Sequence, residues 1–118
     1  MRDFKTLTIW QNSIVMVKQV YKFAEQLPAD ERFGLKSQIC RAAVSIPSNI
    51  AEGCSRESQI DFKRFLQIAL GSCFELETQL ILIENLGLNK SNTDSIIIDL
   101  NKIQKQINSL IQKLKAGN

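Results

Sequence analysis

The sequence predicts an all-α fold, an antiparallel four-helix bundle running up-down-up-down. Three observations carry this expectation. Four stretches repeat apolar residues at spacings of three and four, the period of a helix with one buried face. Prolines number 2 and glycines 5, and Pro28, Gly53 and Gly87 fall at the breaks between stretches. The breaks are short, which favours neighbours packed up and down. A chain of 118 residues suits one domain, 1–118, with one hydrophobic core.

The first helix is expected over 6–27, with Leu7, Trp10, Ile14, Val17, Tyr21 and Ala24 as its buried seam. Pro28 ends it by driving Leu27 from helical geometry. The second is expected over 31–54, opening near Asp30 or Phe33, with Leu35, Ile39, Ala42, Ile46 and Ile50 buried. Pro47 removes a backbone hydrogen bond and crowds the Ala43 carbonyl, which predicts a kink. Apolar spacing continues on both sides, so the helix does not stop there. Gly53 reads as its C-terminal cap.

The third helix is expected over 58–86, capped by Ser55 or Ser58, with Ser58 and Asp61 resembling a capping box. Phe62, Leu66, Ala69, Cys73, Leu76, Leu80 and Ile83 form its seam, and Gly87 marks its end. The fourth is expected over 92–116, opened by Ser91 with Asp94. Ile96, Leu100, Ile103, Ile107, Leu110 and Leu114 form its stripe, and Lys113 and Lys115 suit the negative end of its dipole.

Two helices carry more apolar surface than a lone bundle needs. On the first, Ile9, Met16, Val20, Phe23 and Leu27 form a second stripe, about 110° from the Trp10 seam by helical geometry. On the third, Leu70, Phe74 and Ile81 line up about 100° from the Phe62 seam. Large exposed apolar patches mark interfaces. These two stripes are therefore the favoured contact of a homo-oligomer; the alternative is an irregular bundle in which both stripes help fill one core.

Composition excludes several classes. Apolar residues at 44% and charged residues at 23% describe a globular chain, not a disordered one. Cys40, Cys54 and Cys73 are odd in number and far apart, and there is no histidine, so neither a disulfide framework nor a zinc site is expected. These thiols fit a core in a reducing cytoplasm. No secretory leader and no membrane-spanning apolar run is read. Without histidine no serine has a base to activate it, and there is no phosphate-binding glycine loop. Glu75 and Glu77 point about 200° apart on a helix and do not converge. No catalytic residue, cofactor or metal is expected.

The net charge of +3 permits an anionic partner without demanding one. Arg56, Lys63, Arg64, Lys102, Lys105, Lys113 and Lys115 are the candidate nucleic-acid contacts. No acidic residue follows Asp99, so the end of the fourth helix is locally positive. The aromatics sit mainly on apolar stripes, so binding would read phosphate and shape, with little base stacking. The other reading of these cations is ordinary solvated surface, on a scaffold that docks a protein partner.

The segment from Gln38 to Gly53 mixes small and polar residues. Ala42, Ala43, Ser45, Ser48 and Ala51 permit close helix approach, while Arg41, Asn49 and Glu52 are polar groups to be trapped there. A trapped Arg41 needs a partner, and Glu75 or Glu77 is the expected one. Such a network fixes helix register; the alternative is a ligand or nucleic-acid contact through Arg41 or Asn49.

Several blocks together carry a family likeness. They are Trp10-Gln11, Leu27-Pro28, Glu31-Arg-Phe-Gly-Leu35, Gln38 to Gly53, Phe65-Leu-Gln-Ile-Ala-Leu-Gly-Ser72 and Glu75-Leu-Glu-Thr78. Over nearly its whole length the chain resembles the bacterial four-helix-bundle proteins associated with intervening sequences of 23S ribosomal RNA genes. The resemblance implies a four-helix protomer and a pentameric ring. The chain is also similar to the accessory protein of diversity-generating retroelements, a basic barrel that binds nucleic acid and the reverse transcriptase. One position departs: Cys40 stands where family members often have a basic residue beside Arg41. The expected function is thus a non-enzymatic oligomer contacting structured RNA or other nucleic acid, or alternatively a protein-interaction scaffold.

Overall fold

The computed structural model describes residues 2–31 and 34–117. Its four helices are α1 (Thr8–Ala24), α2 (Leu35–Cys54), α3 (Gln59–Asn85) and α4 (Asp94–Ala116), with no strand among the described residues. Short 3-10 turns at Phe4–Thr6 and Ala29–Glu31 lead into α1 and α2. Each helix packs on two others: α1 on α2 and α4, and α3 on α2 and α4. The pairs α1–α3 and α2–α4 bring no Cα atoms within 8 Å among the described residues and lie diagonally.

The α3 seam is buried as expected, from Phe62 through Leu66, Ala69, Cys73, Leu76 and Leu80 to Ile83. On α4, Ile96, Leu100, Ile103 and Ile107 are buried, with Leu110 and Leu114 half-buried beside Ile111. On α2, Ile39, Ala42, Ile46 and Ile50 are buried and Leu35 is half-buried. α2 runs unbroken through a buried Pro47. It begins at Leu35; the expected opening at Phe33, with Arg32 of the family block, lies outside the described residues.

α1 overturns the expectation. Ile9, Met16, Val20, Phe23 and Leu27, expected at an oligomer contact, are buried in the protomer core. The expected seam is split: Ala24 is buried, Leu7, Trp10 and Val17 are half-buried against the core, Ile14 is half-buried, and Tyr21 is exposed. Both stripes satisfy helical periodicity, so side-chain chemistry decides between them. The buried stripe carries no N–H or O–H on any side chain. The outer one carries an indole N–H and a phenol, which keep a polar tip in water. The α3 residues of that expected contact divide: Leu70 is half-buried against the core, while Phe74 and Ile81 are exposed.

The helix ends also correct two expectations. Gly53 lies inside α2, whose cap position is Ser55. A Cβ there would lie 2.8 Å from Phe65 Cβ and 3.1 Å from Phe62 Cδ1, so its lack of a side chain lets α2 approach α3. Gly87 does what was expected, at φ 67°, with its N–H donating to the Glu84 carbonyl and the Leu88 N–H to that of Ile83. Ser58 Oγ accepts from the Asp61 N–H at 3.1 Å, capping α3. Ser91 does not cap α4; its hydroxyl donates to Gln26 Oε1 at 2.7 Å, and Thr93 occupies the cap position.

Candidate nucleic-acid interface

The groove between α1 and α4 gathers a row of three lysines with Asp99 as the carboxylate lining it. On α4, Lys102, Lys105 and Lys113 are all exposed, on the side away from the buried Leu100, Ile103 and Ile107. They lie within an arc of about 80° and span about 16 Å along the helix, by helical rise and twist. Lys102 lines a cavity of about 230 Å³ with Asn12, Gln19, Asp99 and Gln106. Lys105 and Lys113 line one of about 470 Å³ with Thr8, Gln106 and Ser109. Gln106 borders both, so the two cavities follow one another along the groove.

Hydrogen bonds brace this groove. Asn12 Nδ2 donates to Gln106 Oε1 at 3.1 Å, and Gln19 Nε2 donates to Asp99 Oδ2 at 3.4 Å. Gln19 Oε1 is buried with no partner among the described residues. The ion pairs among the described residues join Arg56 to Glu52 and Arg64 to Asp61, each at 3.6 Å. The three α4 lysines therefore keep their charge unpaired among these residues, with Asp99 the carboxylate lining their groove.

The other candidate cations do not join them. Arg56 is held by Glu52 and sits 4.8 Å over the Phe65 ring. Arg64 is held by Asp61, and Lys63 is half-buried. Lys115 is exposed but lies about 140° around α4 from Lys102.

The polar residues of α2 divide in the same way. Asn49 Nδ2 donates to the Ser45 carbonyl at 2.8 Å and to Ser45 Oγ at 2.9 Å, and Ser45 Oγ shares a 2.7 Å hydrogen bond with Ser72 Oγ of α3. This ladder pins α2 to α3. Arg41 stands outside it, exposed, and forms no ion pair among the described residues. Neither expected partner engages it. Glu77 accepts from Asn101 at 3.0 Å and Gln104 at 2.8 Å, while Glu75 is exposed. Arg41, Gln38 and Glu75 share a shallow cavity with Gln79. Gln79 is buried, donates to Gln38 Oε1 at 3.4 Å, and leaves its own Oε1 unpartnered among the described residues. Sequence reasoning missed Gln19 and Gln79, because a glutamine beside a seam looks like any solvated one.

It also missed a clamp between α3 and α4. Glu84 Oε1 accepts from the Thr93 hydroxyl at 2.6 Å and the Thr93 N–H at 3.0 Å. These hydrogen bonds, the hydroxyl's first, hold the Glu84 carboxyl below its ordinary pKa, against a small opposing effect of desolvation. A folded-state pKa below the unfolded one stabilises the fold above the unfolded value, and that contribution is lost as pH falls through the folded value. Thr93→Val should move the Glu84 titration up toward the usual glutamate range. Carboxyl chemical shifts followed against pH check this, and an unmoved midpoint would reject the hydroxyl as the cause.

Burial raises all three thiol pKa values, that of Cys73 to about 12. These thiols are protonated at neutral pH and are poor nucleophiles. No three metal-ligating side chains share a site among the described residues. α3 is long and apolar enough to cross a membrane by composition, but its apolar seam is spent on the bundle core.

Residues 5–109 match the family model described as 23S rRNA-intervening sequence protein. The chain is also similar to a solved crystal structure from Bacteroides thetaiotaomicron, a protein of unknown function from the S23 ribosomal protein family. The two share 27% identity with a TM-score of 0.80, over 88% of this chain and 95% of that one. No curated protein matches the chain.

Proposed function

The chain belongs to the 23S rRNA-intervening sequence protein family, and from that premise we propose that it is a non-enzymatic, cytoplasmic, self-assembling bundle that binds structured RNA along the α1–α4 groove. The observation that carries the reading is the row of Lys102, Lys105 and Lys113, exposed, on one face and unpaired among the described residues. Each such cation placed against a phosphate releases a counterion, which makes binding tight at low salt and steeply salt-dependent. The residues lining the groove include no aromatic ring, so phosphate and shape are read rather than bases.

The protomer in this proposal is an antiparallel, up-down-up-down bundle. Cross-helix hydrogen bonds support it: Asn12 to Gln106 and Gln19 to Asp99 pair α1 with α4, and Ser45 with Ser72 and Gln38 with Gln79 pair α2 with α3. In each set one residue number rises as the other falls. The assembly is a homopentameric ring, as the resemblance implies, and a ring would repeat the lysine row around its circumference. The exposed apolar face of α3 favours a second reading, a scaffold that docks a protein and binds no nucleic acid.

Binding of a labelled RNA hairpin across a salt titration, on protein of known solution mass, separates the two. Submicromolar affinity that falls steeply with salt is expected. The double change Lys102→Glu and Lys105→Glu should weaken binding by about tenfold or more and flatten the salt slope, at unchanged mass. An intact affinity in that variant rejects the groove. No binding at low salt rejects RNA as the partner and leaves the scaffold.

A further inference from the structure

Gly71 stands in the middle of α3, exposed, and a Cβ built on it meets nothing within 4 Å. Glycine at a helix interior costs about 1 kcal/mol relative to alanine. Gly53 offsets that cost by admitting α3, with only 2.8 Å to Phe65 Cβ. Gly71 offsets nothing within its own chain. Around it the α3 surface is apolar, with Ile68 46%, Phe74 56% and Leu82 44% exposed. Glu75, one turn along the same face, is exposed and in no ion pair among the described residues. The result is a gap in an apolar surface where a Cβ is missing, with the Glu75 carboxylate at its edge and Arg41 of α2 beyond it, lining a shallow cavity with Glu75.

A matching surface stands on α1. Ile14 is half-buried and Tyr21 is 48% exposed, and they lie on one stripe. Lys18 lies between them, four residues from Ile14 and three from Tyr21, exposed and in no ion pair among the described residues. An apolar ridge with a positive charge thus complements a gapped apolar surface with a negative one. α1 and α3 lie diagonally, with no Cα atoms within 8 Å among the described residues, and their outer faces point away from each other, so one chain cannot join the two surfaces. Two copies can, head to tail, and a contact between two different surfaces is the kind that closes rings.

We infer that the α1 stripe of a second copy seats on α3 at Gly71, with Ile14 and Tyr21 against the gap and Lys18 paired with Glu75. This deepens the self-assembly part of the proposed function and rests on it. Small residues let helices approach closely, and the missing Cβ of Gly71 is what admits the incoming side chains.

The test uses light scattering with circular dichroism on the full chain. Gly71→Gln fills the gap while improving helix propensity, and the protomer has open space for it. It should weaken assembly by about 30-fold or more without loss of helical signal. Lys18→Glu and Glu75→Lys should each weaken assembly by about tenfold, and the two together should restore it. A wild-type mass of one chain overturns self-assembly and this contact together. An assembled wild type whose mass is indifferent to Gly71→Gln overturns the contact alone, as does a double charge reversal that fails to restore what each single reversal lost.

Discussion

Phe23→Asp is expected to unfold the protomer, whereas Phe74→Asp is expected to leave it folded. Phe23 is 4% exposed and Phe74 is 56% exposed. Removing a buried phenyl ring costs about 3–5 kcal/mol through lost burial and the cavity left behind. The aspartate that replaces it has no partner in that apolar setting. It must be buried charged or take up a proton, and either adds further cost. The total reaches the entire stability of a typical domain, about 5–15 kcal/mol. Phe74→Asp removes a ring that is already half in water and leaves a carboxylate that stays solvated. Its effect on protomer stability should stay near 0.5 kcal/mol, roughly the range for a surface change. Circular dichroism melts check both. A cooperative, wild-type-like melt for Phe23→Asp would place that ring outside the core and return α1 to the orientation its sequence suggested.

That reversal on α1 shows where periodicity is decisive and where it is silent. α4 presents one stripe, and Ile96, Leu100, Ile103 and Ile107 could be assigned to the core from spacing alone. α3 is nearly as clear, because Phe62 to Ile83 is an unbroken seam. α1 carries two stripes of equal period. Spacing cannot rank them, and burial depends on what α2 and α4 place opposite each. Tyr21, which reads as core by spacing, is exposed because a phenol can be left in water at little cost.

The candidate site was legible only in part. The lysines of α4 were visible as a local charge excess, but their separation from Arg56 and Arg64 was not. That separation depends on Glu52 and Asp61 lying one turn away from the arginines and pairing with them at 3.6 Å. Arg41 was expected to be trapped because its neighbours in sequence are small. Its own position on α2 points outward, and Ser45 and Asn49 supply the polar ladder instead. A short polar residue can satisfy itself against its own helix backbone, as Asn49 does with the Ser45 carbonyl, and so can be half-buried without a charged partner.

Gly53→Ala should destabilise the fold, although helix propensity alone predicts the opposite. In an unconstrained helix interior the change would contribute about 1 kcal/mol of stability. At this position the new Cβ would lie 2.8 Å from Phe65 Cβ. That atom is fixed directly to the α3 backbone, so no side-chain rotation can relieve the contact. The second neighbour, Phe62 Cδ1 at 3.1 Å, belongs to a ring that is 2% exposed and enclosed by the core. Relief therefore requires α2 and α3 to move apart. Ser45 and Ser72 resist that movement through their 2.7 Å hydrogen bond further along the same pair of helices. Overpacking of this kind costs about 1–3 kcal/mol, enough to cancel or exceed the propensity gain. Gly53→Leu should be worse, because the added side chain has no cavity to enter. Thermal melts of the two variants, compared with Gly71→Ala as a helix glycine with open space around it, isolate the effect. A melting temperature that rises in Gly53→Ala would mean that the α2–α3 interface yields, and that the close approach of these helices is not what the glycine is for.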